Sequence, residues 1–255
     1  MRHNFVNDIG DYAKYALLRA LCAHGTGGAR LGVLWYLTEH PETNGDGRRR
    51  AHLSGAGWDA LDPELLLLMR RLETSTREAR ELRLALVERS GILPRDTLFF
   101  SEAVPYDGAT AGVRIEQRSA WFEHARKALA QCNLVFLDPD NGLEVKSVRV
   151  GSRLAGKYAM LAEVQALLAT GATVVLYQHA DRSPWQAQRA RICSQLGSMA
   201  GPPVTIRSLR FGAFGARAFF CVSTDGRLAA DVENALDALT SRVAGWDRAH
   251  HVLIE

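Results

Sequence analysis

The residues with the clearest chemical potential stand directly after a short apolar run, in the stretch NLVFLDPDNGLE (Asn133–Glu144). The run Leu134–Leu137 breaks at Asp138, Pro139, Asp140, Asn141 and Gly142. Two carboxylates separated by a single residue, beside a carboxamide, can hold a proton, stabilise a cation or orient a water molecule. Grouping such charges costs repulsion and desolvation, so the pattern favours a functional site over a solvated turn.

A histidine follows another apolar run, ATVVLYQ (Ala172–Gln178), and offers acid–base chemistry. The imidazole of His179 titrates near neutral pH, so it can act as an acid, a base or an anion stabiliser. A histidine bonded to nearby backbone is the structural alternative. We predict that the catalytic residues are Asp138, Asp140, Asn141 and His179.

Polar and aromatic residues around the carboxyl ends of these two apolar runs, which we call the tips, are predicted to bind the substrate. They are Asn7, Asp11, Lys14 and Tyr15 near the start of the chain, Asp46 after the first predicted strand, and Lys157, Tyr158, Gln178 and Arg182 near the later tips. Lys157 and Arg182 suit phosphate groups, and the alternative for each is a solvated charge. Tyr158 and either Phe211 or Phe214 suit stacking on a base, although aromatic side chains more often pack in a core.

The N-terminal block NDIGDYAKY (Asn7–Tyr15) crowds polar groups of several types beside an apolar face. Asp11 and Lys14 lie one helical turn apart, so an ion pair between them is the simple interpretation. The functional alternative is a wall of the site, with Lys14 and Tyr15 facing the substrate. The sequence leaves both interpretations open.

The elements that must position these residues alternate between strands and helices. Apolar runs predict strands at Leu31–Thr38, Thr97–Glu102, Leu134–Leu137 and Ala172–Gln178, and alternating patterns predict a hairpin of Val204–Arg210 with Arg217–Ser223. Helices are predicted within Asn4–His24 (capped by Asp8 or Asp11) and at Asp62–Arg89, Glu116–Gln131, Lys157–Thr170, Pro184–Gly197 and Ala229–Val243. This order predicts an α/β fold, a Rossmann-like, mostly parallel sheet flanked by helices with a C-terminal antiparallel hairpin. Carboxyl ends of parallel strands share one edge, so the polar tips are expected to converge there.

Length and composition bound the class of protein. The 255 residues, 47% hydrophobic and 23% charged, predict a single α/β domain over residues 1–255, with a helical insertion at about 48–94. We expect no membrane span, because no apolar run approaches the roughly 18 residues that one needs. Four scattered cysteines and the lack of an apolar leader predict a reduced, cytoplasmic protein of unknown oligomeric state. The net charge of +3 and the clustered arginines suit a phosphate-bearing partner, DNA.

Three resemblances extend this interpretation. Arg2–Leu21 (RHNFVNDIGDYAKYALLRAL), VFLDPDNG and a late antiparallel hairpin together resemble the bacterial ribosomal-RNA adenine N6-methyltransferases that act on large-subunit RNA. The tip here is Asp-Pro-Asp-Asn where those enzymes carry Asp-Pro-Pro-Tyr, and the loop after Leu37 is not the glycine-rich loop that binds S-adenosylmethionine (AdoMet). The tip and YQHADRSPW (Tyr177–Trp185) also look like the sites of uracil-DNA-glycosylase-type enzymes. The set NDIGDYAKY, DPDNGLE, KY and YQH is similar to a group of bacterial proteins that includes anti-phage DNA glycosylases.

The site residues and these resemblances together give three functional hypotheses. The first is a hydrolase, a DNA glycosylase that flips a modified or damaged base and cleaves its N-glycosidic bond without a metal or cofactor, in antiviral defence or DNA repair. Asp138 or Asp140 would stabilise the oxocarbenium-like sugar or activate water, Asn141 would position that water or the base, and His179 would stabilise the departing base. The second is an AdoMet-dependent nucleic-acid adenine N6-methyltransferase. The third is a Mg²⁺-dependent nuclease that uses both aspartates and Glu144, or a binding protein without catalysis.

Overall fold

The computed structural model describes residues 3, 6–24, 28–38, 49–55, 57–79, 84–199, 201–212, 216–242 and 252–254. Its helices are α1 (Ile9–His24), α2 (Ala51–Ser54), α3 (Pro63–Ala79), α4 (Leu84–Arg89), α5 (Ala111–Ala128), α6 (Leu161–Leu168), α7 (Trp185–Gly197) and α8 (Gly226–Arg242). Its strands are β1 (Leu31–Leu34), β2 (Leu98–Phe100), β3 (Leu134–Leu137), β4 (Gly142–Leu143), β5 (Tyr158–Ala159), β6 (Thr173–His179), β7 (Thr205–Phe211), β8 (Arg217–Ser223) and β9 (Val252–Ile254). Short 3₁₀ turns cover Trp58–Ala60 and Arg153–Lys157.

In the described part of the chain, seven strands form the central sheet, in the order β2-β1-β3-β6-β8-β7-β9. The pairs β1–β2, β1–β3 and β3–β6 are parallel, whereas β6–β8, β7–β8 and β7–β9 are antiparallel. The predicted α/β fold, with a mostly parallel sheet and an antiparallel C-terminal end, is therefore confirmed. The hairpin is not a simple addition to the edge, because β8 is inserted between β6 and β7 and runs against both.

The two faces of the sheet are covered by different helices. Residues of α1, α3 and α8 pack with one set of strand side chains, which includes Trp35, Phe136 and Phe219. Residues of α5, α6 and α7 pack with the alternate set, which includes Leu137 and Leu176. The four parallel strands carry apolar side chains on both faces, as expected for strands buried between two helical layers. None of the helices that the structure describes combines the length and apolarity needed to cross a membrane.

Helix α1 differs from the predicted amphipathic helix. It is buried on nearly all sides, including Asp11 and Lys14, because it lies between the sheet and the helices α3 and α8. Asp8 caps its first turn, where the Asp8 carboxylate accepts a hydrogen bond of 3.0 Å from the Gly10 amide. The polar residues of the N-terminal block are thus placed inside the protein.

Other boundaries also differ from the predictions. The helix predicted at Lys157–Thr170 is wrong at its start, because Lys157 ends a 3₁₀ turn, Tyr158–Ala159 forms β5, and α6 begins only at Leu161. Helix α5 begins at Ala111 instead of Glu116, since the Thr110 hydroxyl accepts a hydrogen bond from the Val113 amide and caps it. The predicted helix Asp62–Arg89 is represented by α3 and α4, and residues 80–83 lie outside the described part. Helices α2, α3 and α4 lie between β1 and β2, in the region of the predicted insertion.

Candidate functional site

The sheet has a topological switch point between β1 and β3. From β1 the chain crosses to β2 on one side, and it then returns to β3 on the other side of β1. In open α/β sheets the crevice at the carboxyl ends of two such strands is where ligands bind. The carboxyl end of β3 carries Asp138, Pro139, Asp140 and Asn141, which we call the DPDN corner.

The DPDN corner is joined by backbone hydrogen bonds to two other predicted site segments. The Asn141 amide donates to the Lys157 carbonyl over 2.9 Å, next to the parallel pairing of β4 with β5. The His179 amide donates to the Asn141 carbonyl over 3.2 Å. The structure thus brings Asp140, Asn141, Lys157 and His179 together at one edge of the sheet.

Gln178 has a structural use at this junction. Its Oε1 accepts a hydrogen bond of 2.9 Å from the Leu143 amide, and its Nε2 donates to the carbonyls of Asn141 and His179 over 3.0 and 3.1 Å. A Cβ added to Gly142, whose φ is +110°, would lie 2.2 Å from Gln178 Oε1. The side chain of Gln178, predicted to bind substrate, therefore holds the turn that follows the corner.

Asp138 is locked into a buried ion-pair network with α1. The Lys14 ammonium lies 2.8 Å from the Asp138 carboxylate and 2.7 Å from that of Asp11. All three side chains are only 4% exposed. The Lys14 ammonium also lies 5.5 to 6.0 Å from the ring centres of Tyr15, Trp35 and Phe136, a cation–π arrangement.

The pKa values in this network follow from burial and pairing. Burial alone lowers the pKa of Lys14, but the carboxylates of Asp11 and Asp138 more than reverse this effect, so the ammonium stays charged. Burial raises the pKa of Asp11 above its ordinary value, and Lys14 offsets that rise only in part. Burial raises the pKa of Tyr15 well above its ordinary value, and the charges of Asp11 and Asp138 raise it further. The Tyr15 hydroxyl is buried and lacks a well-formed hydrogen bond among the described residues, although Asp11 lies near it.

Asn7 anchors the start of this network. Its backbone amide donates to the Asp11 carboxylate over 2.8 Å, and its Nδ2 donates to the Met69 carbonyl and the Glu73 carboxylate over 3.2 and 3.0 Å. It is fully buried, with a φ of +66°. Asn7, Asp11 and Lys14 therefore hold Asp138 and the helical layer in place, and none of them is open to a substrate.

The remaining predicted residues lie in different environments. His179 is exposed, and its Nδ1 lies 3.2 Å from the Tyr177 hydroxyl. Arg182 is also exposed, whereas Lys157 and Tyr158 are half-buried. Phe211 is 1% exposed and packs against Trp58, so the prediction that it stacks on a base is wrong. Asp46 and Phe214 lie outside the described residues.

Sequence reasoning missed Arg217, which stands beside the same network. Its guanidinium lies 3.6 Å from the Asp8 carboxylate and packs against Gly10, where an added Cβ would meet Cζ at 2.6 Å. In the register of β6 and β8, Arg217 is directly opposite His179. Arg217 is far from Asp8 in the sequence, so their proximity could not be predicted. It follows from the pairing of β8 with β6.

The ends of β1 and β2 complete the crevice. Past β1, Thr38 is 2% exposed, and its hydroxyl has no hydrogen-bond partner among the described residues. Tyr36 has a φ of +46°, a strained conformation for a bulky residue. Leu37 pairs with Ala103, which places Glu102 at the same edge with its side chain 62% exposed. No group of three or more metal-ligating side chains occurs in the part of the chain that the structure describes.

Comparisons with known proteins add a likeness in structure. No family model and no curated protein matches the sequence. Among solved structures, the chain is similar to protein LPL1258 from Legionella pneumophila strain Philadelphia 1, assigned to the family DUF519. The TM-score is 0.47 and the identity 10%, over 98% of this chain and 97% of that chain. A structural similarity this low gives no information about function.

Proposed function

We propose that this protein is an AdoMet-dependent methyltransferase that acts on a base in DNA, with the reaction at the DPDN corner. The observation that carries the proposal is the strand order of the sheet. Its switch point lies beside the corner, and the antiparallel strand β8 is inserted between β6 and β7. A closing antiparallel strand pair is the variation that methyltransferase sheets carry, so the argument is an analogy between folds joined to a site at the expected position.

The residues at the crevice fit the polar parts of AdoMet. Thr38 offers a buried hydroxyl that has no partner in the described structure, and Glu102 lies just past the carboxyl end of β2, the strand next to β1. In related nucleotide-binding sheets an acidic residue on the neighbouring strand binds ribose hydroxyls. Thr38 and Glu102 would therefore hold the nucleoside part. When bound, AdoMet would supply an electrophilic methyl group.

The DPDN corner would receive the base. Asp140 and Asn141 are half-buried, and their side-chain oxygens can accept hydrogen bonds from an exocyclic amine. Asp138 would act as a positioning residue, because its carboxylate is bonded to Lys14 inside the protein. A flipped base is needed, since a duplex does not expose its amines to such a pocket.

The proposal is tested by AdoMet binding to matched threonine variants, measured by isothermal titration calorimetry. Thr38→Val is expected to weaken AdoMet binding about tenfold, the cost of losing one hydrogen bond. Thr97→Val is the control, because Thr97 is also buried with an unpartnered hydroxyl in the described structure but lies at the amino end of β2. Failure of the wild-type protein to bind AdoMet, or equal effects of the two variants, would contradict the proposal.

Hydrolysis of an N-glycosidic bond is a second candidate, which one observation favours. The Tyr177 hydroxyl holds Nδ1 of His179 next to Asn141, so the exposed imidazole is oriented to donate a proton to a departing base. Asp140 would then stabilise the sugar cation. Abasic sites formed in modified DNA without AdoMet, detected by alkaline cleavage and lost in His179→Ala, would favour this candidate over methyl transfer.

A further inference from the structure

The loop between β4 and β5 carries an unusual charge pattern. The basic loop, Lys146–Lys157, reads KSVRVGSRLAGK and contains four basic residues and no acidic residue. Lys146, Arg149 and Arg153 are exposed, and Lys157 is half-buried. The charges of this loop therefore face solvent on a single segment.

The basic loop has a fixed shape. Val148 and Ala155 are buried in a small apolar cluster with Met160. Successive turns are closed by amide-to-carbonyl hydrogen bonds of 2.8 Å, from Val148 to Val145 and from Ser152 to Arg149. Arg114 of α5 donates through Nε to the Gly151 carbonyl over 2.8 Å, which ties the loop to the helical layer. The cations are thus presented on an ordered support, and binding would pay little entropy to order the loop.

The charges of the basic loop are not balanced by acids. Among the residues that the structure describes, none of its four basic side chains forms an ion pair. Several other arginines are paired, such as Arg118 with Glu163, Arg191 with Asp181 and Arg207 with Glu233. Uncompensated, exposed cations attract a polyanion, and the attraction is strongest for closely spaced phosphates.

The basic loop is also next to the candidate site. Its last residue, Lys157, accepts the hydrogen bond from the Asn141 amide of the DPDN corner. Two apolar side chains stand between the cations, Val150 at 39% and Leu154 at 60% exposure. A nucleic-acid strand that delivers a base to the corner would then pass this loop, with its phosphates near the cations and its sugars near the apolar side chains.

We propose that the basic loop binds the phosphate backbone of DNA beside the nucleotide that enters the DPDN corner. This inference rests on the proposed function, because it takes DNA as the substrate. It assigns the backbone contacts to Lys146, Arg149 and Arg153, while the corner itself contacts the base. Backbone contacts of this kind position the nucleic acid and do not read its sequence.

The test measures the salt dependence of binding to a fluorescein-labelled 24-nucleotide single strand by anisotropy. In the triple variant Lys146→Gln, Arg149→Gln and Arg153→Gln, the slope of log K against log salt is expected to become shallower by about two. Binding at 0.1 M salt is expected to weaken about 100-fold. The matched control removes the same charge from the opposite edge of the sheet, through Arg30→Gln, Arg95→Gln and Lys127→Gln. The control is expected to keep the wild-type slope to within about half a unit, which is less than the change of roughly 0.7 expected from losing a single phosphate contact.

Several outcomes would overturn the inference. These are a wild-type protein that binds no DNA at 50 mM salt, equal slopes for the two triple variants, a loop-dependent preference for RNA of the same sequence, or loop-dependent binding to phosphatidylserine vesicles instead of DNA. Failure of the proposed function would be seen separately. In that case DNA binding would still depend on the loop, but AdoMet would not bind and the DNA would be neither methylated nor cleaved at a base.

Discussion

At the scale of single residues, Lys14 determines how the DPDN corner is held. It neutralises two carboxylates that would otherwise repel each other in a buried place, Asp11 and Asp138. The sequence predicted that Lys14 pairs with Asp11 or faces the substrate, and the spacing of one helical turn supported the first possibility. Its bond to Asp138 could not be predicted, since 124 residues separate the two and only the packing of α1 on the sheet joins them.

Replacing Lys14 tests this network. Lys14→Met is expected to lower the free energy of unfolding by about 3–5 kcal/mol, because it leaves buried carboxylates without a counter-charge. Urea denaturation measures the change. The matched control is Arg126→Met, which removes a surface arginine, its side chain 40% exposed, from its i, i+3 pair with Glu123 and should leave the unfolding midpoint unchanged. A loss below about 1 kcal/mol for Lys14→Met would mean that the network adds little to stability.

At the scale of elements, the short pairing of β4 with β5 is what assembles the candidate site. It places Lys157 and Tyr158 beside Asn141, and Gln178 of β6 closes the junction. Sequence patterns located the apolar strands, because the pattern that marks them is local. They assigned Tyr158 to a helix, since a strand of two residues is fixed by its distant partner and leaves no periodic signal.

Crowding at Gly142 provides the test of this junction. Gly142→Ala should destabilise the protein more than Gly171→Ala, because both glycines have positive φ but only Gly142 would bring a Cβ against Gln178. The shared backbone strain is worth about 1–3 kcal/mol, and the excess reports the collision. Thermal denaturation followed by circular dichroism measures both variants. Equal losses of stability in the two variants would show that Gln178 moves away from the added Cβ without a free-energy cost.

At the scale of the whole molecule, stability depends on keeping a histidine neutral. His52 is fully buried, stacks on Tyr12 with ring centres 5.6 Å apart, and has no hydrogen-bond partner for either ring nitrogen in the described structure. Burial, aided by the charge of Arg50, lowers the pKa of His52 from 6.5 to about 3. The unfolded chain therefore binds a proton between these pH values that the folded protein excludes, so stability rises with pH across that window.

The pH dependence of unfolding checks this linkage. Between pH 7 and pH 5 the wild-type protein should lose up to about 1.4 kcal/mol per pH unit from this residue, mainly below pH 6.5. His52→Phe keeps the aromatic stack and should flatten the profile by that amount. The exposed His124, changed to Phe, serves as the control and should leave the slope as it is. An unaltered slope in His52→Phe would locate the acid sensitivity elsewhere.

The global architecture was largely readable from the sequence, whereas the depth of α1 was not. Apolar runs ending in polar turns indicated the parallel sheet, and the alternating patterns indicated β7 and β8. For Asp11 and Lys14 of α1 the sequence indicated either an ion pair between them or a wall of the site. Inside the protein Lys14 pairs with Asp11 and also with Asp138, and the second contact is one that only the folded chain supplies.

The place of α1 has a consequence for how the chain is made. Synthesis delivers α1 well before α8, yet α1 packs against α8, and Arg217 at the start of β8 rests on Gly10 and near Asp8. An emerging N-terminal half therefore carries α1 without the cover of α8, and Asp8 without Arg217, until the C-terminal elements leave the ribosome. Nascent chains halted before β8 should aggregate unless a chaperone is present, whereas the completed and released chain should not aggregate without one.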